Sequence, residues 1–114
     1  MYREDLSPCP IELTDPVATG RSIGWLEKGY YFETGNTPWR FLRKLRWLSR
    51  DIKNPMWGFH KCEFCGWAKG NGEIHVVGAD GITYVAPQLV VHYIATHKYR
   101  PPQQFIDAAV WSGR

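Results

Sequence analysis

Two cysteines in the segment GFHKCEFCG, Cys62 and Cys65, are the residues of this chain best suited to chemistry. Two thiolates separated by two residues can reach one metal ion from a single tight turn. Zinc prefers four ligands in a tetrahedron, drawn from sulfur and imidazole nitrogen. Gly66 follows directly and can adopt the positive φ that closes such a turn. The pair therefore predicts one half of a zinc site.

Two histidines supply the predicted second half of the site. His92 and His97 are separated by four residues, a spacing found in Cys2His2 zinc sites. Residues five apart on an ideal helix differ by about 140° around its axis, so both imidazoles reach one ion only if the helix ends or distorts near His97. Pro101 is consistent with such an ending. His60 and His75 are rival ligands, although we expect His75 to face solvent from a strand.

A Cys-x-x-Cys pair can instead be redox-active. The thioredoxin-like version lies between a strand and a helix in a βαβ unit, whereas a hairpin-like run follows here. The cysteine count of three argues against a disulfide framework, and Cys9 lies far from the pair. We favour zinc. Four protein ligands would make the site structural, but a missing histidine ligand would leave a position for water and reopen catalysis.

The elements that position these ligands are predicted in the order helix, cysteine knuckle, hairpin, helix, helix. Thr37 is a candidate N-cap and Pro38 a first helical residue for a helix that continues to Leu48. The runs EIHVVG and ITYVAP flank a short turn and predict a hairpin. Apolar spacing predicts helices within 87–99 and 101–111. Residues 1–24 contain three prolines and two glycines, which predicts a loop-rich arm with little regular structure.

We expect residues 1–114 to form one α+β domain, with residues 58–99 as its zinc-binding core in a treble-clef-like arrangement. A chain of 114 residues is usually one domain, and a metal would add to its stability. No apolar run is long enough to span a membrane and the N-terminus lacks the apolar stretch of a signal peptide, so we expect a cytoplasmic protein. Aromatic residues make up 15% of the chain, and the predicted aromatic core consists of Phe59, Phe64, Trp67, Tyr84, Tyr93, Tyr99 and Phe105.

The first predicted helix has a basic face that is a candidate binding surface. Helical geometry places Phe41, Leu42, Leu45 and Leu48 on one arc. A basic surface that contains an aromatic residue can bind phosphates and stack a base. The alternative is an ordinary solvated face with its tryptophan packed on the body of the protein. The net charge of +3 permits an anionic partner without requiring one. The candidate partner-binding residues are Arg40, Arg43, Lys44, Arg46, Trp47 and Arg50.

The segments GFHKCEFC and NGEIHVVGADGITYVAPQLVVHYIATHKYRPPQQFIDAAV, and more loosely GYYFETGNTPWRFLRKL, resemble a group of small uncharacterised bacterial proteins. Their pattern runs G-x-H-x-C-E-x-C, then N-G-E-I and a hairpin, then A-P-x-L-x-x-H-Y-x-x-x-H-x-Y-x-P-P. The resemblance covers most of the chain from about Gly29 onward. It implies that Cys62, Cys65, His92 and His97 are metal candidates, includes His60 in the pattern, and suggests a bacterial or phage source. It implies no activity.

Three functional classes fit these observations. A zinc-stabilised module that binds a protein or a nucleic acid is favoured, because the strong signals are structural. A small histidine-metal nuclease with His75 as general base is the enzymatic alternative, but the chain lacks a cluster of acids to hold a catalytic cation. An immunity or regulatory protein of a toxin system is the third, although such a protein is expected to be acidic. We therefore expect a binding module rather than an enzyme.

Overall fold

The computed structural model describes residues 2–12 and 15–112. Within these ranges the chain alternates short strands with three short helices, which gives the expected α+β class. The elements are β1 (Pro8–Glu12), β2 (Asp15–Ser22), α1 (Trp39–Leu48), β3 (His60–Lys61), β4 (Lys69–Gly70), β5 (Glu73–Val77), β6 (Thr83–Pro87), α2 (Val90–His97) and α3 (Gln103–Trp111).

Four of the strands form one sheet in the order β1-β2-β6-β5. Strands β2 and β6 are parallel, whereas the β1–β2 and β5–β6 pairs are antiparallel. The predicted hairpin is confirmed as β5 and β6, with Val76 opposite Tyr84 and a turn that contains Gly81 at φ +80°. Strands β3 and β4 pair with each other as a separate two-stranded sheet. This small sheet carries the cysteine pair.

The N-terminal segment differs from the irregular arm predicted for residues 1–24. It contributes β1 and β2 to the main sheet, and Arg21 in β2 lies opposite Tyr84 in β6. The prolines that suggested a loop are compatible with this arrangement because β1 is an edge strand. Pro8 and Pro10 are two residues apart and lack their N–H groups on the same side of the strand, where an edge strand needs no donor.

The core lies between one face of the β5–β6 hairpin and the three helices. Phe105 of α3 makes edge contacts with Phe41 of α1 and with Tyr84 of β6. Ile74 and Val76 alternate along β5 and are fully buried in the same cluster. Helix α1 begins at Trp39, one residue later than predicted, and has no side-chain cap. Its position is therefore set by packing of its apolar face.

The predicted aromatic core is correct in part. Tyr84, Tyr93, Tyr99 and Phe105 are buried, and Phe64 is packed against the core with partial exposure. Phe59 and Trp67 are exposed, at 63% and 69%. Both lie beside or within the short β3–β4 unit, whose two-residue strands are too small to cover large side chains on every side.

Candidate metal centre

Strands β3 and β4 hold the two cysteines in a tight turn. The Cys62 N–H donates to the Ala68 carbonyl at 2.8 Å, and the Gly66 N–H donates to the Cys62 carbonyl at 2.8 Å. Gly66 has φ +76°, the left-handed conformation predicted for it and one that a side chain rarely adopts. The knuckle geometry expected from the Cys-x-x-Cys spacing is therefore present.

Helix α2 ends at the second histidine. His97 is the last residue of α2, and Lys98 adopts the left-handed conformation with φ 59°. The N–H groups of Lys98 and Tyr99 both donate to the Tyr93 carbonyl, which closes the helix. This is the helix ending that the spacing of His92 and His97 requires.

A segment before α1 fastens the chain just beyond this helix end. The Gly35 N–H donates to the Lys98 carbonyl at 2.9 Å, and the Arg100 N–H donates to the Glu33 carbonyl at 2.9 Å. Thr34 forms an isolated antiparallel bridge with Tyr99. These hydrogen bonds fix the position of the end of α2, and with it the position of His97.

The four predicted ligands converge on one point. The Nε2 atoms of His92 and His97 are 3.2 Å apart, the Cys62 Sγ lies 3.4 Å from the His97 Nε2, and the Cys65 Sγ lies 3.3 Å from the His92 Nε2. All four donor atoms lie within 4.8 Å of one another. Zinc bonds of about 2.3 Å to sulfur and about 2.05 Å to nitrogen place tetrahedral ligand atoms about 3.3–3.8 Å apart. The donor set therefore fits one tetrahedral ion.

The two thiols differ in acidity. Burial raises the pKa of the Cys62 thiol, although N–H groups of Phe64 and Cys65 donate to its sulfur. Desolvation also acts to raise the pKa of the Cys65 thiol, but the N–H groups of Ala68 and Trp67, with the side chains of His97 and Cys62, outweigh it and lower that pKa to about 6. Hydrogen-bond donors stabilise a thiolate, which is the form that binds a metal. The site thus favours anionic sulfur at Cys65.

Aromatic rings surround the imidazoles. The Trp67 ring meets His92 edge-on at a centroid distance of 4.8 Å, and the Phe64 ring lies 5.3 Å from His97. Cys62 is 1% exposed, while the other three members of the cluster are partly buried. The exposed Trp67 therefore packs against the site and covers one side of it, although it is not part of the hydrophobic core.

The rival histidines lie outside this cluster. His60 lines a separate cavity. The His75 Nε2 donates to the Glu73 Oε1 at 2.9 Å, and its side chain is only 12% exposed, so the expected solvent-facing histidine is mostly covered. Within residues 2–12 and 15–112, the Cys2His2 group is the one set of three or more His, Cys, Asp and Glu side chains able to share an ion. The structure does not bring His75 into such a set.

Helix α1 presents its predicted basic face to solvent. Phe41 and Leu45 are buried beneath the helix, whereas Arg40, Arg43, Arg46 and Arg50 are exposed and Lys44 is partly covered. Trp47 is 54% exposed, so it is not packed away on the body of the protein. Among the described residues, none of these five basic side chains forms an ion pair.

A tryptophan that the sequence analysis missed completes this face. Trp39 is 65% exposed and, with Trp47, borders an open groove of about 570 Å³. Arg43, Arg46 and Arg50 also line it, while Arg40 lies over the Trp39 ring at 5.5 Å. Two tryptophans eight residues apart on one helix were the available signal, because that spacing places them about two turns apart along the axis and about 80° apart around it. We call this surface the Trp/Arg groove.

These observations define the class of protein: a small α+β domain in which a knuckle and a helix hold a Cys2His2 cluster suited to a metal ion. The family described as "Domain of unknown function (DUF7919)" matches residues 1–110. The chain belongs to this family. Neither the curated proteins nor the solved structures include a match to the chain. No helix within the described residues is long and apolar enough to cross a membrane.

Proposed function

We propose that this chain is a zinc-stabilised domain that binds single-stranded nucleic acid through the Trp/Arg groove. Zinc is the ion favoured by a donor set of two thiolates and two imidazoles, and four protein ligands leave no open position for catalysis. The succession of knuckle, β5–β6 hairpin and ligand-bearing helix supports a treble-clef-like arrangement. The metal's role here is to join the knuckle to the end of α2.

Metal content tests the first half of this proposal. We expect one zinc per chain by mass spectrometry after purification without added metal, and loss of that zinc in Cys62→Ser and in His97→Ala. Cys9→Ser is the matched control, because Cys9 is also a buried free thiol but lies outside the cluster. Zinc retained in both cluster variants, or absent from the native protein, would contradict a Cys2His2 zinc site.

The observation that carries the nucleic-acid proposal is the pair of exposed tryptophans beside three arginines without ion-pair partners among the described residues. Aromatic rings stack on bases of any sequence, at about 1–3 kcal/mol per base, and guanidinium groups bind the phosphates between them. Trp39 and Trp47 are about 12 Å apart along the helix, from a rise of about 1.5 Å per residue. A single strand of nucleic acid can extend over the distance between the two tryptophans with its bases unpaired.

The charge distribution of α1 also supports an anionic partner. The helix has no acidic residue, and Arg40 lies in its first turn, where the positive end of the helix dipole disfavours a cation. An arginine at this position lowers the stability of the helix. Residues that lower local stability in this way concentrate at functional sites. A bound phosphate chain would neutralise both the arginines and the helix end.

Binding of a fluorescent oligo(dT) of about 12 nucleotides, a length within the usual site sizes, tests the second half. We expect Trp47→Ala to weaken binding by about 1–3 kcal/mol, because it removes one stacking platform. Arg43→Gln/Arg46→Gln should weaken it further and reduce the slope of log affinity against log salt by about 0.7 for each lost phosphate contact. Circular dichroism checks that each variant is folded.

The control for charge is Arg21→Gln/Lys28→Gln. These two exposed side chains lie outside the Trp/Arg groove, and their replacement removes the same net charge as the groove double variant. Equal losses of binding in the two double variants would show that only net charge matters and would contradict a defined site. Binding unaffected by Trp39→Ala and Trp47→Ala would also contradict the proposal.

A further inference from the structure

A second concave site lies on a different part of the molecule. It is a cavity of about 280 Å³ at the meeting of the N-terminal segment, the loop after β2, strand β3 and the start of α2. Its wall is mostly apolar and includes Trp25, Leu26, Met56, Pro87 and Leu89. It shares no lining residue with the metal cluster or with the Trp/Arg groove. Its volume is near the lower end of the range for small-molecule pockets.

Two side-chain acceptor atoms in this wall are already used by the protein. The Glu73 Oε1 accepts from the Asn54 Nδ2 at 2.8 Å and from the His75 Nε2 at 2.9 Å. The Gln88 Oε1 accepts from the Asn71 N–H at 2.9 Å. These two atoms are therefore engaged before a ligand binds.

Two donors in the same wall have no hydrogen-bond acceptor among the described residues. The Arg3 guanidinium lies over the Trp25 ring at 5.8 Å, but it forms no ion pair or hydrogen bond within the described part of the chain. Tyr93 is 2% exposed, and its hydroxyl likewise has no hydrogen bond to any described residue. Among the described residues, the Ser22 Oγ is the one fully buried side-chain polar atom without a partner, so the Tyr93 hydroxyl is accessible and can donate to a molecule in the cavity that its side chain lines. The His60 imidazole lines the same space and can donate as well.

We propose that this cavity binds a small organic monocarboxylate with an apolar body, such as an arylacetate. The carboxylate would accept from the Arg3 guanidinium, in the bidentate geometry that Arg favours, and from the Tyr93 hydroxyl. The apolar body would lie against Trp25, Met56 and Leu89. The Glu73 carboxylate in the same wall is bonded to Asn54 and His75, so the Arg3 guanidinium remains available to one negative charge. This site is separate from the metal cluster and from the Trp/Arg groove, although His60 of β3 and Gly70 of β4 belong to its wall.

The experiment is a two-dimensional amide NMR titration of the zinc-loaded, full-length protein. The probes are benzoate, phenylacetate and octanoate, each taken to about 10 mM so that a Kd near 1 mM is measurable. Uncharged phenylacetamide and cationic phenethylamine are the matched analogues of phenylacetate. We expect shifts centred on Gly70, Gly72, Leu89 and the Trp25 side chain, with phenylacetamide at least tenfold weaker and phenethylamine not binding.

Two variants test whether Arg3 and the Tyr93 hydroxyl donate to the bound carboxylate. Arg3→Met keeps a long side chain without the charge, and Tyr93→Phe removes only the hydroxyl that lacks a partner. Each should weaken phenylacetate binding at least fivefold, whereas Arg21→Met, an exposed arginine of β2, should leave it unchanged. Because Tyr93→Phe removes no hydrogen bond to a described residue, we expect this variant to unfold at the same temperature as the native protein.

Three results would overturn the proposal. No localised shifts with any of the three carboxylates would show that the cavity takes no such ligand. Equal affinity for phenylacetate and phenylacetamide would remove the role of the charge. Shifts that map to the Trp/Arg groove and persist in Arg3→Met would assign the effect to general anion binding by α1.

Discussion

At the scale of single residues, the structure depends on polar groups that join distant parts of the chain. The Tyr99 hydroxyl donates to the Asp5 Oδ2 at 2.7 Å, and the Asp5 Oδ1 accepts from the Gly24 N–H at 3.0 Å. Burial raises the pKa of the Asp5 carboxyl, while these two donors act to lower it. These bonds therefore join the N-terminal segment to Tyr99, two residues beyond the end of α2.

We predict that Tyr99→Phe lowers the free energy of unfolding by about 1.5–3 kcal/mol, because a partly buried carboxylate loses one of its two donors. Urea denaturation of the zinc-loaded protein measures this. Tyr93→Phe is the matched control, since Tyr93 is also a buried tyrosine but its hydroxyl bonds no described residue. A change below about 0.5 kcal/mol is expected for it. Equal effects of the two variants would refute the specific role of Asp5.

At the scale of elements, the contact between β2 and β6 determines how the N-terminal hairpin joins the sheet. A Cβ placed on Gly20 would lie 2.3 Å from the Thr83 carbonyl oxygen. Only glycine allows the two backbones to approach this closely. Gly20 thus explains, at one position, why β2 can lie beside β6.

We predict that Gly20→Ala lowers the free energy of unfolding by about 1–3 kcal/mol, because an added methyl group overpacks a closely packed site. A Cβ on Gly58 would meet nothing within 4 Å, so Gly58→Ala is the control and should stay within about 0.5 kcal/mol of the native value. Thermal unfolding of both variants measures the difference in stability. A Gly20→Ala protein as stable as the control would mean that β2 does not approach β6 in this way.

At the scale of the whole molecule, the metal cluster lies at one edge of the hydrophobic core. The main core joins β5, β6 and the three helices and includes the ligand Cys62, whereas the strands β3 and β4 pair only with each other. Short zinc fingers unfold without metal because the site supplies most of their stability. Here most of the buried core consists of residues that are not ligands, so removal of metal should loosen the region of β3 and β4 first.

We predict that a chelator abolishes hydrogen-exchange protection at the Cys62, Gly66 and Lys98 amides. The Ile23 amide, which donates to the Val85 carbonyl at 3.0 Å within the main sheet, should keep most of its protection. Local opening of this kind is expected where few buried apolar contacts support a segment. Simultaneous loss of protection at all four amides would instead show that metal binding and global folding are one cooperative step.

The sequence alone determined what depends on local rules. The Cys62 and Cys65 spacing, the glycine after them and the helix ending near His97 are set by turn and helix geometry, so the knuckle, the hairpin and the three helices were predictable. The basic face of α1 followed from helical periodicity in the same way. Its outer tryptophan, Trp39, was missed because the exposure of a side chain depends on what packs against it.

Only the tertiary structure decided the rest, because the deciding contacts join residues far apart in the chain. Prolines in residues 1–24 favour a loop by local rules, but an edge position beside β2 accommodates them in a strand. Trp67 is apolar and was expected in the core, yet it covers His92. Arg3 and Tyr93 line one cavity although they are 90 positions apart in the chain, and no periodicity encodes such a meeting. Long-range packing alone determines which side chains line such a cavity.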